Sequence, residues 1–91
     1  MKTVRKSSQF KKDFKRIQYN LEKVAALLDV VTKLANGETL PEKMKPHTLS
    51  GQYQDYMECH IGPDYLLIWY DKIADTIELV RLGSHSELFK K

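Results

Sequence analysis

Hydrophobic residues recur with helical spacing in the first part of the chain. The first set follows a serine pair, is interleaved with lysines and comprises Phe10, Phe14, Ile17 and Leu21. Spacing of three or four residues predicts one apolar face on a helix. Ser7 or Ser8 is the expected N-cap, because a serine hydroxyl accepts a hydrogen bond from the unpaired N–H groups of a first helical turn.

A second helix is predicted after Asn20, which is also suited to an N-cap. Its apolar positions are Val24, Leu27, Leu28, Val31 and Leu34. Asn36 and Gly37 form its stop, since glycine readily adopts the left-handed backbone that ends many helices. The two helices are expected to form a hairpin with one apolar face. The segment KTVRK before them weakly predicts a short strand.

The second half of the chain carries strand patterns separated by turn residues. Strands are predicted over Gln52 to Ile61, Tyr65 to Tyr70 and Thr76 to Leu82. Strands joined by such short turns pair antiparallel. We therefore predict a single α+β domain over residues 1–91. Its N-terminal strand and helical hairpin precede an antiparallel β-meander, and the helices cover one face of the meander, giving two layers.

Composition and charge narrow the function classes only modestly. The 91 residues, 42% hydrophobic and 30% charged, are expected to fold as ordered structure, and a net charge of +3 permits a phosphate-bearing partner without requiring one. The single cysteine, Cys59, excludes an internal disulfide and fits a reducing cytoplasm. The chain has neither the long apolar run of a membrane span nor the apolar segment of a signal peptide, so a cytoplasmic location without a membrane partner is expected.

Several ionisable side chains are expected to converge at one edge of the sheet. The first turn of the meander carries two of them, and the last strand should end beside that turn because it runs antiparallel to its neighbour. The expected cluster comprises His60, Asp64, Arg81 and His85, with Lys45 and His47 of the long irregular stretch 37–51 as possible members. A lone histidine at a strand end is usually without function, but convergence of ionisable groups is typical of active sites.

These residue types fit metal-free acid–base chemistry on RNA. An RNA strand supplies its own nucleophile, the 2′-hydroxyl, and needs a base, a cation and an acid, which histidines, Asp64 and Arg81 provide. The sequence contains neither the close histidine pair nor the cysteine cluster that would predict a metal site. Cys59 alternates with apolar neighbours and is expected in the core rather than as a nucleophile. Phe89, next to lysines, has two interpretations: a ring that stacks on a base, or one packed onto the core.

Two longer segments resemble a known family. HTLSGQYQDYMECHIGPDYLLIWY and RLGSHSELF are similar to the YafQ branch of the RelE/ParE toxin superfamily, and SSQFKKDFKRI resembles the start of that family. The resemblance implies a RelE/ParE-like two-layer sandwich and the toxin half of a type II toxin–antitoxin pair. It also implies metal-independent cleavage of messenger RNA in the ribosomal A site. The implied partners are the ribosome, messenger RNA and an antitoxin. The chain would contact operator DNA only through that antitoxin.

The resemblance also carries site residues over to this chain. It implies the catalytic set His47, His60, Asp64 and His85 and the substrate contacts Lys45, Arg81 and Phe89, with no cofactor and no metal. Glu58 stands at the family's acidic position, whereas Met57 replaces an arginine that relatives often have. Two alternatives stay open: a ParE-like toxin that binds a protein such as gyrase, and an inactive subunit that only pairs with its antitoxin and represses an operon. ParE-type chains generally lack the three histidines.

Overall fold

A mixed β-sheet with two helices on one face forms the body of the computed structural model, which describes residues 1–49, 51 and 54–89. Its strands are β1 (Thr3–Lys6), β2 (His47–Thr48), β3 (Met57–Gly62), β4 (Tyr65–Tyr70) and β5 (Thr76–Gly83). Its helices are α1 (Ser8–Lys15), α2 (Leu21–Ala35) and α3 (His85–Leu88), and a short 3₁₀ turn covers Glu42–Met44. The predicted α+β class and the order of strand, helical hairpin and meander are confirmed.

The strands of the sheet lie in the order β1-β5-β4-β3-β2. β3, β4 and β5 form the predicted antiparallel meander. β1 lies parallel to β5, with Thr3 opposite Thr76, which makes the sheet mixed. The N-terminal strand was indicated by the sequence, but its parallel pairing joins segments more than seventy residues apart and has no local signal.

The helix caps agree with the sequence, and the buried faces agree only in part. Ser7 Oγ accepts from the Phe10 N–H at 2.9 Å, and Asn20 Oδ1 accepts from the Lys23 N–H at 3.0 Å. The prediction that Leu21 extends the apolar face of α1 is wrong, since Leu21 is 81% exposed. The reason is that α1 ends at Lys15, so helical spacing no longer relates the residues beyond it.

The buried side of α2 agrees with the predicted set at Leu27 and Leu34 but not throughout. Leu28 is 60% exposed, whereas Val30, absent from the predicted set, is fully buried. Leu27, Val30 and Leu34 are spaced by three and four residues and lie on the face that packs on the sheet.

The predicted strand from Gln52 to Ile61 is shorter in the structure. β3 begins at Met57, because residues 54–55 form a turn in which Asp55 has a φ of 74°. Gln52 and Tyr53 lie outside the described residues. The stretch predicted to be irregular contains β2, which pairs His47 with Glu58.

The two faces of the sheet differ in what covers them. The helical face holds the main core, in which Cys59 is fully buried, as predicted. Burial, with a smaller contribution from the neighbouring Glu58 carboxyl, raises the pKa of the Cys59 thiol to about 12, so this thiol is no nucleophile at neutral pH. The opposite face carries a smaller cluster around Leu66, Ile68 and Leu88. In the described part of the chain, no helix has the length and apolar character needed to cross a membrane.

A buried carboxylate closes the open edge of β5. β1 pairs with β5 only as far as Leu79, and beyond that point α1 takes over the edge. Ser7 Oγ donates to the Val80 carbonyl at 2.7 Å, and the Leu82 N–H donates to Asp13 Oδ2 at 3.0 Å. Asp13 is fully buried and also pairs with Arg81, which is how a charge is accommodated there.

Candidate active site

The turn between β3 and β4 places Asp64 at the corner of the open sheet face. Gly62 pairs with Tyr65, so Pro63 and Asp64 form the two central residues of the turn. Proline suits the first of these positions because its φ is fixed, and Asp64 has a φ of 51°, a positive value that type II turns require at the second. Asp64 is exposed, and its carboxylate faces the start of α3.

α3 presents His85 to that carboxylate. His85 is the first residue of α3, after the N-cap Ser84. Its Nδ1 lies 2.8 Å from Asp64 Oδ1, and its backbone N–H donates to the same oxygen at 3.3 Å. No helix is predicted from the sequence after β5, and the structure places His85 in a capped helical turn there. The predicted nearness of His85 to Asp64 is confirmed.

The contact between Asp64 and His85 determines which ring nitrogen is reactive. When Nδ1–H donates to the carboxylate, Nε2 is the nitrogen that accepts or gives a proton. The hydrogen bond from the His85 side chain, aided by the one from its backbone N–H, lowers the pKa of the Asp64 carboxyl. Asp64 is therefore ionised at neutral pH and orients the imidazole.

His60 and Phe89 complete this group. The rings of His60 and His85 lie edge to face with centroids 5.9 Å apart, which confirms the expectation that both histidines lie near Asp64. The Phe89 ring lies 6.3 Å from the His85 ring and is half-buried against the small cluster on this face. The packing interpretation of Phe89 is thus met, and its role in stacking on a base stays a prediction.

A second acid–base pair lies on the neighbouring strand. His47 and Glu58 are opposite one another in β2 and β3, and His47 Nε2 lies 3.0 Å from Glu58 Oε1. His47 Nδ1 lies 2.7 Å from the Lys45 carbonyl, which only accepts, so Nδ1 carries a proton. His47 Nε2 is therefore the ring nitrogen that faces the Glu58 carboxyl. Glu58 is 4% exposed, and its Oε2 has no hydrogen-bond partner among the described residues.

His60 lies between the two pairs. Glu58 and His60 are two residues apart on β3, so their side chains point to the same face about 7 Å apart along the strand. Lys45, which has a φ of 49°, and His60 line one shallow depression of about 440 Å³. The ionisable residues therefore form a row across the open face, from His47 through His60 to Asp64.

Arg81 differs most from its predicted place. The sequence predicts its guanidinium near Asp64, but in the structure its Nε donates to Asp13 Oδ2 at 2.9 Å. Arg81 instead pairs with the buried Asp13 carboxylate of α1, which also accepts the Leu82 N–H. The register nearby contains a bulge, since Ile68 pairs with Arg81 while Trp69 pairs with Leu79. The substrate-binding role of Arg81 stays a prediction.

Sequence reasoning left Glu58 and Asp13 out of the site residues. The alternation of β3 contained the signal for Glu58, since it shares a face with His60. Asp13 lies three residues after Phe10 on the buried side of α1. A charged residue is expected at the surface, and only the structure shows the Arg81 partner that permits its burial. Across the described residues, no group of three or more histidine, cysteine, aspartate or glutamate side chains is arranged to hold a metal ion.

Comparison with known proteins identifies the family of this chain. Residues 2–90 match the family described as "Bacterial toxin of type II toxin-antitoxin system, YafQ". The mRNA interferase toxin YafQ of Escherichia coli strain K12 is 34% identical over 85 residues, which cover 91% of this chain and 90% of that protein.

Solved structures show the same architecture. A metal-bound toxin from Helicobacter pylori is 44% identical and has a TM-score of 0.87, with 98% of this chain and 100% of that chain covered. The toxin chain in the Escherichia coli DinJ–YafQ complex is 30% identical and has a TM-score of 0.85, with 98% of this chain and 99% of that chain covered.

Proposed function

Because this chain belongs to the YafQ family of type II toxin–antitoxin toxins, we propose that it is an endoribonuclease that cleaves messenger RNA in the ribosomal A site and is inhibited by a cognate antitoxin. Its Escherichia coli relative is named an mRNA interferase. The observation that carries the proposal is the contact between His85 and Asp64, with His60 beside it, on the sheet face opposite α1 and α2. Three histidines on that face favour a nuclease over a toxin that only binds a protein.

The proposed reaction is attack by the 2′-oxygen on the adjacent phosphorus. A base removes the 2′-hydroxyl proton, the P–O2′ bond forms, the P–O5′ bond breaks, and an acid protonates the departing 5′-oxygen. The products are a 2′,3′-cyclic phosphate and a free 5′-hydroxyl. Each positioned acid or base contributes about 10²- to 10⁴-fold in rate.

The geometry supports a distribution of these roles. His85 Nε2 acts directly on the scissile group, and Asp64 holds the His85 ring with its Nδ1 toward the carboxylate. His60 is the second imidazole within reach of the same phosphate. The pair of His47 and Glu58 is a further acid–base group on the same face. Lys45 and Arg81 would balance phosphate charge, and Phe89 would stack on a base.

No step is assigned to a metal. The Helicobacter relative has a structure described as metal-bound. In the present chain, His47 and Glu58 provide two ligand types that metals use, but the described residues do not complete a set of three. The acids and bases of the proposed reaction are the protein's own side chains.

The test of the proposed function is cleavage of a defined messenger by the purified chain. The message is supplied on ribosomes with an occupied P site and, in parallel, free in solution. Cleavage on the ribosome that yields 2′,3′-cyclic phosphate and 5′-hydroxyl ends is expected, with little cleavage of the free message. A chain that arrests growth but leaves the bound message intact would contradict the proposal.

A further inference from the structure

The helical turn that carries His85 is too short to be stable by itself. α3 has four residues, and isolated helices need about 12–15 residues to form in water. Its position must therefore come from contacts with the rest of the molecule. Leu88 supplies one contact, since it is 6% exposed and packs against Leu66 and Ile68. The polar contacts at the start of the turn centre on Glu87.

The two carboxylate oxygens of Glu87 hold two different parts of the chain. Oε1 accepts the Ser84 backbone N–H at 2.8 Å, which with the Ser84 hydroxyl completes a capping box. Oε2 pairs with Arg16 Nη1 at 2.9 Å, just beyond the end of α1. The bond from the Ser84 N–H is the largest cause that lowers the pKa of the Glu87 carboxyl, so Glu87 is ionised at neutral pH.

Gly83 provides independent evidence that the Glu87 side chain has a fixed place. A Cβ atom at Gly83 would lie 3.0 Å from Glu87 Oε1 and 3.3 Å from Glu87 Cβ. Glu87 therefore packs closely over the end of β5. A side chain at position 83 would push the carboxylate away from the Ser84 N–H.

These contacts fix the backbone at the point where His85 begins. The His85 N–H and its Nδ1 both meet Asp64 Oδ1, at 3.3 and 2.8 Å. Both contacts form together only when the backbone of Ser84 and His85 has one orientation. We propose that Glu87 is a positioning residue for RNA cleavage, which holds the Ser84–His85 backbone so that the His85 imidazole stays on Asp64. This inference rests on the proposed function.

The experiment compares three variants with the parent chain. Glu87→Ala removes both contacts, Glu87→Gln keeps an oxygen for the Ser84 N–H, and Glu22→Ala removes an exposed carboxylate from the first turn of α2. Single-turnover cleavage on programmed ribosomes gives the maximal rate and the half-saturating concentration. NMR titration of the Asp64 carboxyl reports directly whether His85 still contacts it.

The expected result is a loss of rate without a loss of binding. Glu87→Ala should lower the maximal rate by roughly 10- to 100-fold, as a small misplacement of a catalytic group does, with the half-saturating concentration changed less than about threefold. The pKa of Asp64 should rise toward its ordinary value in Glu87→Ala. Glu87→Gln should retain most of the rate and the low pKa of Asp64, and Glu22→Ala should match the parent.

Several outcomes would overturn the inference. Cleavage by Glu87→Ala within about threefold of the parent would do so, and so would equal losses in Glu87→Ala and Glu87→Gln with an unchanged Asp64 titration. If Glu87→Ala does not fold, Gly83→Ala displaces the carboxylate without removing it and must show the same two effects. A parent chain that cleaves nothing would remove the proposed function, while the Asp64 titration would still decide whether Glu87 positions the pair.

Discussion

The reactivity of His85 depends on which of its nitrogens faces Asp64. In this molecule Nδ1 faces the carboxylate, so Nε2 is available to the substrate side. Two residues that are 21 positions apart in sequence thus define one acid–base group. The sequence predicted their proximity because antiparallel strands bring the end of β5 beside the β3–β4 turn. It held no information on ring orientation, which depends on the capped turn of α3.

Substitution of His85 tests the central residue of the proposed mechanism. His85→Ala should lower single-turnover cleavage on programmed ribosomes by about 10²- to 10⁴-fold, because a positioned acid or base is lost. Folding and antitoxin binding should persist, since His85 is an exposed residue. Tyr19→Ala, at an 88% exposed site between α1 and α2, is the control. Rates for His85→Ala within about threefold of the parent would leave the chemistry to His47, His60 and Asp64.

Phe89 allows stacking and packing to be separated. Loss of a stacked base costs about 1–3 kcal/mol, so Phe89→Ala should weaken cleavage by roughly 5- to 100-fold, less than loss of His85. Phe89→Leu keeps apolar contact with the cluster of Leu66, Ile68 and Leu88 but removes the ring. Stacking predicts that Phe89→Leu is nearly as impaired as Phe89→Ala. Activity of Phe89→Leu equal to that of the parent would show that the side chain only packs.

At the scale of elements, the sequence predicted the features that depend on neighbouring residues, namely strand bounds and helix caps. β4 has the predicted bounds because a proline turn precedes an unbroken apolar run, and both helix caps follow from single side chains. β2 was missed because two residues have no periodicity and their pairing with β3 is a long-range contact. The bulge between β4 and β5 was missed for the same reason: it exists only in the register between these two strands.

The buried Asp13 makes the junction of α1 and β5 sensitive to substitution and to pH. Asp13→Ala should lower the free energy of unfolding at pH 7 by about 3 kcal/mol, because it removes the buried carboxylate that pairs with Arg81 and accepts the Leu82 N–H. Asp29→Ala, which removes an exposed pair with Lys33, should cost less than about 0.5 kcal/mol. Urea denaturation of both variants measures the two costs, and equal costs would contradict the structural role of Asp13.

The pH dependence of that difference has a definite sign. Burial alone would raise the pKa of the Asp13 carboxyl, but hydrogen bonds from Arg81, Leu82 and Gln9 outweigh it and lower the pKa in the folded state. A lowered pKa gives stability that is complete above the unfolded value, about 3.9, and is lost as the pH falls through the folded value. The gap between parent and Asp13→Ala should therefore be constant from pH 7 to 5 and shrink in acid. A gap that widens in acid would refute this linkage.

At the scale of the whole molecule, the exposed lysines of α1 and the candidate catalytic residues occupy different surfaces. The candidate catalytic residues lie on the open sheet face, whereas exposed lysines Lys11, Lys12 and Lys15 lie on α1, which packs at the edge and helical side of the sheet. The net charge is +3. A partner that wraps the toxin as an extended or helical segment can therefore meet both surfaces, whereas a messenger needs only the first.

Association with an acidic antitoxin should depend on the lysines of α1. We expect the antitoxin to be the short acidic product of a neighbouring reading frame. It would cover the open sheet face and add negative charge to a basic toxin. Electrostatic steering predicts that the association rate falls by about tenfold or more between low and high salt. The triple change of Lys11, Lys12 and Lys15 to glutamate should produce a similar fall at low salt. Lys72→Glu, in the exposed turn after β4, is the control for added negative charge. Surface-binding kinetics measure the association rate of the parent and of both variants. A triple variant that associates as fast as Lys72→Glu, or a parent complex whose association is unchanged by salt, would show that charge on α1 does not guide the antitoxin.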